Sequence, residues 1–363
     1  MEIPGTGTLS TTDRGADPPA PLRRRRARKI VLISVAVLAV IAVALAITAY
    51  EITNHYLGSV HRLGDPFSSI PTAQRPPRAA GLASKDVTFL VGGLDTRSAV
   101  PTTGSQAQSA LRGRTDTLML VHLIAGGRGA YVVSIPRDSW VPIPGHGDGK
   151  INWAYEFGGS ALAVRTVERL THVRIDHVAV IDWAGFQAVT NALGGVTVDI
   201  PVTSHDPANN VTWTAGIHHL NGAQALLYVR DRYGLPGGDF DRENRQQNFL
   251  RAVYAELHHQ LSSPRDPLRT ARIISALTQA VSVDSTLSLS EMTHLVLSLH
   301  EVRVGTNIMF ATVPYKGTGM VGSQSVVWLN ESLDRGFWHA FEYDSLPAFM
   351  QAHKLQQLGA TTP

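Results

Sequence analysis

The sequence predicts one mixed α/β domain carried behind a single N-terminal transmembrane helix. Three observations carry that prediction. Short apolar runs closed by glycine or proline alternate with longer segments of helical spacing, which is the pattern of a sheet covered by helices. One uncharged run, IVLISVAVLAVIAVALAITAY (30–50), is long enough to span roughly 30 Å as a helix, the thickness of a bilayer core. The 363-residue chain is 44% hydrophobic and 17% charged, the balance of a globular protein with a sizeable core.

The elements follow in order. Residues 1–29 are rich in Gly, Pro, Thr and Asp and end in RRRRARK. They carry seven basic groups against three acidic ones. This composition reads as a disordered basic tail that charge bias places in the cytoplasm. The 30–50 run exceeds the ordinary length of a signal-peptide apolar region, so it reads as a retained anchor rather than a cleaved leader. Residues 51–85 contain Pro66, Pro71, Pro76 and Pro77 and read as an extracytoplasmic stalk. The folded body is expected from 86 to 345, with 346–363 as a C-terminal tail.

Within the body, DVTFLVGGLD (86–95), TLMLVHLI (117–124), AYVVSIP (130–136), HVAVIDW (177–183), VTVDIP (196–201), NIMFATVP (307–314) and SVVWL (325–329) read as strands. Residues 98–113 read as a loop. Helices are expected over 150–173, broken at Gly158-Gly159, and over 186–195. Further helices are expected from Asn221 as N-cap to 232, and over 241–261, 267–281 and 288–302, the last opened by Ser288 or Ser290. Residues 303–363 show no recognisable motif.

Composition excludes several functions. With no cysteine there is no disulfide framework, thiolate metal site or cysteine nucleophile. HExxH, P-loop, GxSxG and EF-hand patterns are absent. The net charge of +3 sits in the tail: the residues from 30 onward hold 25 basic and 26 acidic groups, so the body gives no argument for nucleic-acid binding. The pairs His218-His219 and His258-His259 are adjacent, point apart on any regular element, and read as surface residues.

What remains is arginine. YVRDRYGLPGGDFDRENRQQNFL (228–250) packs Arg230, Arg232, Arg242 and Arg245 with four carboxylates and no lysine. Asp95-Thr96-Arg97, Arg114-Thr115-Asp116 and Arg137-Asp138 stand at the ends of apolar strands, where α/β folds place ligands. Guanidinium never deprotonates and grips phosphate oxygens bidentately. A composition of 27 arginines to five lysines favours arginine everywhere, and single exposed arginines are ordinarily surface ion pairs. Four clusters together point to a phosphorylated ligand. Asp95 and Asp116 among those arginines suggest a hard divalent cation, against the simpler reading that each neutralises its neighbour.

VGGLDTR (91–97), GRTDTLMLV (113–121), VVSIPRDSWVPIPGHGDGKINWAYEFGG (132–159) and LNGAQALLYVRDRYGLPGGDFDRENRQQNFL (220–250) resemble, in that order, the motifs of the LytR–CpsA–Psr family. The match covers about 86–255. The Gly-Leu pair before Asp95 and the long 98–113 loop depart from the family pattern. The resemblance implies an α/β/α sandwich with a central mixed sheet and an apolar pocket. It implies a membrane-anchored phosphotransferase that moves a glycopolymer from a polyprenyl-pyrophosphate carrier to a peptidoglycan hydroxyl. It implies Mg²⁺ (or Mn²⁺) held by Asp95 and Asp116, and pyrophosphate gripped by Arg114, Arg137, Arg230, Arg232 and Gln246. Arg97, Asp239, Arg242 and Arg245 would complete or orient the site. Asp95, Asp138 and Asp239 are unranked as general base. A polyprenyl-pyrophosphate pyrophosphatase and a non-catalytic carrier-binding protein are the rival readings. A 29-residue tail with no helical pattern leaves no room for a DNA-binding regulator.

Overall fold

The computed structural model describes residues 60–95, 102–103, 113–231, 235, 239–262, 267–299 and 308–355, all within the unit Thr53–Pro363. Its centre is a seven-stranded sheet: β1 (His61–Arg62), β2 (Val87–Asp95), β3 (Arg114–Ile124), β4 (Gly129–Ser134), β5 (His177–Asp182), β6 (Val281–Val283) and β7 (Ile308–Thr312). The spatial order is β1-β6-β5-β2-β3-β4-β7. β2 pairs antiparallel with β3 and parallel with β5, β3 pairs antiparallel with β4, and β4 pairs parallel with β7. The sheet is therefore mixed, as the alternation of elements predicts.

Alternate residues of the central strands face opposite layers. Leu90, Leu118, Leu120, Val133, Val178 and Val180 join one core. It is closed by α1 (Trp153–Thr171), α7 (Glu331–Glu342) and α8 (Leu346–Ala352), through Val164, Val167, Phe337, Phe341 and Met350. The opposite face carries α2 (Trp183–Ala192), α3 (Gly222–Arg230), α4 (Asp239–Ser262), α5 (Pro267–Ala280) and α6 (Leu289–Leu299). Helices on both faces make the expected sandwich. The two cores differ in closure. On the second face Phe89, Val91 and Val121 are only partly buried although they lie on the two middle strands. Met119, Val132 and Phe310 pack against Val91, Val121 and Ile308 there.

α1 keeps the expected break at Gly158-Gly159: Gly159 takes φ 63°, ψ −154°, a non-helical conformation that side-chain-bearing residues avoid, and the helix resumes beyond the kink. Several expectations change. Trp140–Ile143 and Gly147–Lys150 form a hairpin with a Gly-rich turn. Gly216–Leu220 pairs with Val196–Ile200, and Val211–Trp213 with Ser204–Asp206. Tyr315–Val321 pairs with Gln324–Leu329.

Both expected limits of the body move outward. Residues 60–85 belong to the domain rather than to a stalk: β1 pairs with β6, Ile70 enters the first core, and Arg75 meets Glu168 at 2.7 Å. At the other end Leu346 and Met350 are buried, so the tail expected from 346 begins as α8. Among the described residues no helix is long and apolar enough to cross a membrane. The 30–50 run lies outside them.

Candidate active site

β2, β4 and β5 run the same way and β3 runs against them. The C-terminal ends of β2, β4 and β5 and the N-terminal end of β3 therefore share one edge. Asp95 closes β2, Arg114 opens β3, Arg137 and Asp138 follow β4, and Asp182 closes β5. Chain direction alone thus brings three of the sequence-predicted clusters together.

Asp95 pairs in register with Arg114, but the ladder is irregular just before it. Gly93 pairs with Thr117 and Leu94 with Thr115, which leaves Asp116 as the extra residue of a β-bulge. The bulge breaks the strict alternation of β3. Asp116 and Thr117 are both partly exposed where a regular strand would bury one of them. Gly93 lies under the bulge: a Cβ there would meet Thr117 Cβ at 3.1 Å. Arg137 Nη1 donates to Asp116 Oδ1 at 2.7 Å. Both side chains are mostly covered, which strengthens the pair relative to a surface one.

The Arg137 loop is pinned on three sides. The Asn152 amide donates to the Arg137 carbonyl at 3.2 Å, and the Ile151 amide to the Ser139 carbonyl at 2.9 Å. The Val327 amide donates to the Asp138 carbonyl at 2.9 Å. Lys150 Nζ lies 3.1 Å from Asp138 Oδ1. The IPRD and KIN segments are thus one unit: the second supplies the donors that hold the first.

Arg230 is the last residue of α3, a position where a cation meets the negative end of the helix dipole. Its Nη2 lies 3.9 Å from Asp95 Oδ2, and its guanidinium sits 5.4 Å over the Trp183 ring. The side chain is 48% exposed, as is fitting for a group that greets a ligand. Arg114 is more open at 54% and donates to Glu156 Oε2 at 2.7 Å.

The RENRQQN stretch of α4 behaves differently. Arg242, Glu243, Arg245, Gln246, Gln247 and Asn248 are all buried. Arg245 Nη1 donates to Asp231 Oδ2 at 2.7 Å, Nη2 donates to Ser204 Oγ, and the guanidinium covers the Tyr228 ring at 4.9 Å. Gln246 accepts from Thr117 Oγ1 at 3.0 Å and donates to the Val229 carbonyl at 3.3 Å. Gln247 donates to Ser134 Oγ at 2.7 Å and to the Ala311 carbonyl at 3.0 Å. Gln246, expected at the pyrophosphate, is therefore engaged with the protein, and Arg245, expected to complete or orient the site, is too: they brace the C-terminal end of α3 and the bulge against α4. Arg97 and Arg232 lie outside the described residues, as does the side chain of Asp239, the first residue of α4.

Sequence reasoning passed over four contributors: Lys150, Glu156, Trp183 and Asp182. Asp182 caps α2, accepting from the Gly185 amide at 2.8 Å. Its other oxygen accepts from the Thr102 amide and, at 2.9 Å, from the Thr102 hydroxyl, so it ties part of the long loop to this edge. An aspartate between an apolar run and a helix is a legible N-cap signal. The other three carry none.

A cation would find two carboxylates here, on Asp95 and Asp116, partly exposed at 16% and 17%. Asp116 commits only Oδ1 to Arg137, which leaves Oδ2 without a bond among the described residues. An oxygen-only donor set suits Mg²⁺ or Mn²⁺.

Comparison with known proteins agrees with this layout. The LytR_cpsA_psr family model matches residues 65–337. The chain is 37% identical over 202 residues to the probable cell wall biosynthesis protein LcpB of Corynebacterium glutamicum, covering 56% of this chain and 47% of LcpB. It is 33% identical over 211 residues to the polyisoprenyl-teichoic acid–peptidoglycan teichoic acid transferase TagU of Bacillus cereus, covering 58% and 64% respectively. The chain thus spans about half to two thirds of the length of these curated relatives. Among solved structures, the LytR-Csp2A-Psr enzyme from Actinomyces oris superposes with a TM-score of 0.59 at 20% identity over 78% of this chain and 96% of that one. TagT bound to LIIa-WTA gives 0.56 at 24% identity over 74% and 96%. These likenesses show the shared fold. From the match across 65–337 and the motifs assembled at one edge of its sheet, this chain belongs to the LytR_cpsA_psr family.

Proposed function

We propose that this chain is a membrane-anchored phosphotransferase. It moves a glycopolymer from a polyprenyl-pyrophosphate carrier to a hydroxyl of peptidoglycan. The observation that carries the reading is the convergence of Arg114, Arg137 and Arg230 with Asp95 and Asp116 at one sheet edge. Three guanidinium groups in one place suit a pyrophosphate better than any neutral ligand. The names of TagU and of the TagT complex, which refer to polyisoprenyl-linked or wall teichoic acid, support the substrate class.

The partly covered apolar face supports the lipid. Phe89, Val91, Val121 and Ile308 sit where a sandwich normally buries its sheet, so a prenyl chain can complete that layer. The run 30–50 anchors the chain, with the arginine-rich tail in the cytoplasm and the domain outside.

In the reaction the acceptor oxygen forms a bond to the phosphorus that carries the glycan. The bond from that phosphorus to the bridging oxygen breaks, and polyprenyl phosphate leaves with the electron pair. The acceptor proton passes to a nearby carboxylate or to the departing phosphate. Arg114, Arg137 and Arg230 hold the non-bridging oxygens in line and counter the charge that grows on them. Arg245 and Gln246 keep those groups in place from behind. When bound at Asp95 and Asp116, Mg²⁺ or Mn²⁺ supplies further neutralisation of the pyrophosphate.

The test incubates the full-length chain with a polyprenyl-pyrophosphate glycan and peptidoglycan, with and without Mg²⁺. Mass spectrometry follows polyprenyl phosphate and glycan joined to peptidoglycan. Equal, Mg²⁺-dependent formation of both, lost in Arg230→Ala and Asp95→Ala, is expected. Polyprenyl phosphate with free glycan phosphate would instead identify a pyrophosphatase. Bound lipid without either product would identify a carrier-binding protein.

A further inference from the structure

The opposite end of β2 and β3 holds a second cluster that the transfer reaction does not use. Asp86 immediately precedes β2, His122 lies near the end of β3, and Asp344 sits in the turn between α7 and α8. Nine residues separate Asp86 from Asp95, so at about 3.3 Å per residue this cluster is roughly 30 Å from the pyrophosphate edge.

Each of the three residues is half used. Asp86 Oδ1 accepts from the Ala125 amide at 2.7 Å. His122 Nδ1 is 2.9 Å from Thr88 Oγ1. Asp344 Oδ2 accepts from Arg128 Nη2 at 3.1 Å. The remaining atoms, Asp86 Oδ2, His122 Nε2 and Asp344 Oδ1, are buried and have no hydrogen-bond partner among the described residues. All three lie within 4.8 Å of one another. His122 Nε2 is 3.7 Å from Asp86 Oδ2 and 3.8 Å from Asp344 Oδ1.

Those separations decide between two readings. A protonated imidazole bridging the carboxylates would close to about 2.7–2.9 Å on at least one side. Around a single tetrahedral ion, ligand bonds of about 2.0–2.2 Å set the donors about 3.3–3.6 Å apart, close to the separations here. Asp86 and His122 are 6% and 2% exposed, so leaving their inner atoms unsatisfied is costly.

We propose that Asp86, His122 and Asp344 form a divalent metal site of the zinc class. One imidazole nitrogen with two carboxylate oxygens suits Zn²⁺ or Co²⁺ better than Mg²⁺ or Ca²⁺, which favour oxygen alone. The groups that would orient these ligands surround them. With its proton on Nδ1, His122 would donate to Thr88 Oγ1 and turn the Nε2 lone pair inward, while the Ala125 amide and Arg128 hold the outer carboxylate oxygens. The ion clips the α7–α8 turn to the two central strands, a structural role remote from the transfer chemistry.

The test uses the full-length chain, stripped with chelator and titrated with Co²⁺ and then Zn²⁺. Visible d–d absorption reports Co²⁺, calorimetry gives the stoichiometry, and thermal unfolding is recorded at each step. One equivalent is expected, giving a Tm rise. Binding should persist in the Asp95→Ala, Asp116→Ala double variant, which removes the other candidate cation site. It should weaken at least 30-fold in His122→Gln and Asp344→Asn, with the Tm rise gone. Asp344 has φ 57°, which asparagine tolerates, so the second variant keeps the turn. Absence of stoichiometric Co²⁺ or Zn²⁺ binding would overturn the proposal. So would binding lost in the Asp95/Asp116 double variant, or unchanged in Asp344→Asn.

Discussion

Arg245 and Asp231 form a 2.7 Å ion pair from which solvent is excluded, their side chains 1% and 0% exposed. Asp231 is the C-cap of α3, one residue after Arg230. The pair therefore fixes the backbone that presents an open arginine by means of a buried one. Within a single motif two arginines have opposite duties, and this separates their mutational signatures.

Removing either buried partner strands the other charge. Arg245→Ala and Asp231→Ala are each expected to cost about 3–5 kcal/mol of stability. An Arg245→Met, Asp231→Leu double replacement should recover much of that loss, because desolvation offsets most of the pair's attraction. A double-mutant cycle in urea measures this. Arg230→Ala, at a half-exposed site, should leave the urea midpoint almost unchanged while abolishing transfer.

Arg137 and Arg114 differ in the same spirit. Arg137 is mostly covered and bound to Asp116, whereas Arg114 meets Glu156 in solvent. Arg137→Lys keeps a charge but loses the planar fork, and should lower kcat by about 100-fold or more, the scale of an electrostatic transition-state contact. Glu156→Ala should shift stability by less than about 0.5 kcal/mol. Steady-state kinetics beside thermal unfolding distinguish the two.

A pH effect follows from Asp334 in α7. Burial, and next the neighbouring Glu331, push its pKa up to about 6, against the pull of Lys316. The folded state then holds a proton that the unfolded chain releases near pH 4. Stability is lost as pH rises from about 4 through 6 and does not return above it. Asp334→Asn cannot ionise, so it should match the parent at pH 4 and exceed it by about 1–2 kcal/mol at pH 7.5. Denaturant curves at the two pH values test the sign.

The fold and much of the site were legible because both rest on local signals. Apolar runs marked β2, β3, β4 and β5, and the Asp and Arg residues at their ends reached one edge once strand direction was known. What escaped has long-range causes. The bulge that frees Asp116 depends on pairing between strands, not on a residue type. The burial of Arg245 depends on Ser204, 41 positions away. The metal-type cluster joins residues 86, 122 and 344, and no spacing rule connects them. The hairpin strands at 140–150 and 315–321 are short and interrupted by Pro142 and by glycines, so no sustained apolar alternation announced them. Proline was the misleading signal in residues 60–85, where it marks an extended segment packed on the body rather than a free stalk.

That segment gives the last prediction. Arg75 places Nη2 2.7 Å from Glu168 Oε1 and lies 4.4 Å over the Phe67 ring. Glu168, 2% exposed, also accepts from the Ile175 amide at 3.0 Å. Ile70 is 6% exposed in the first core, and β1 covers one edge of the sheet. A chain begun at residue 86, where the sequence alone places the body, would leave Glu168 buried without its cation and open the core above Ile70. That combines the loss of a buried-pair partner with the loss of a core aliphatic, together about 5 kcal/mol or more, comparable to the whole stability of many domains. A chain begun at residue 58 should be monomeric and unfold cooperatively, whereas the chain begun at 86 should aggregate or melt without a transition. Arg75→Ala in the longer chain should reproduce part of the defect, about 3 kcal/mol. Equal melting curves for the two chains would return residues 60–85 to the role of a stalk.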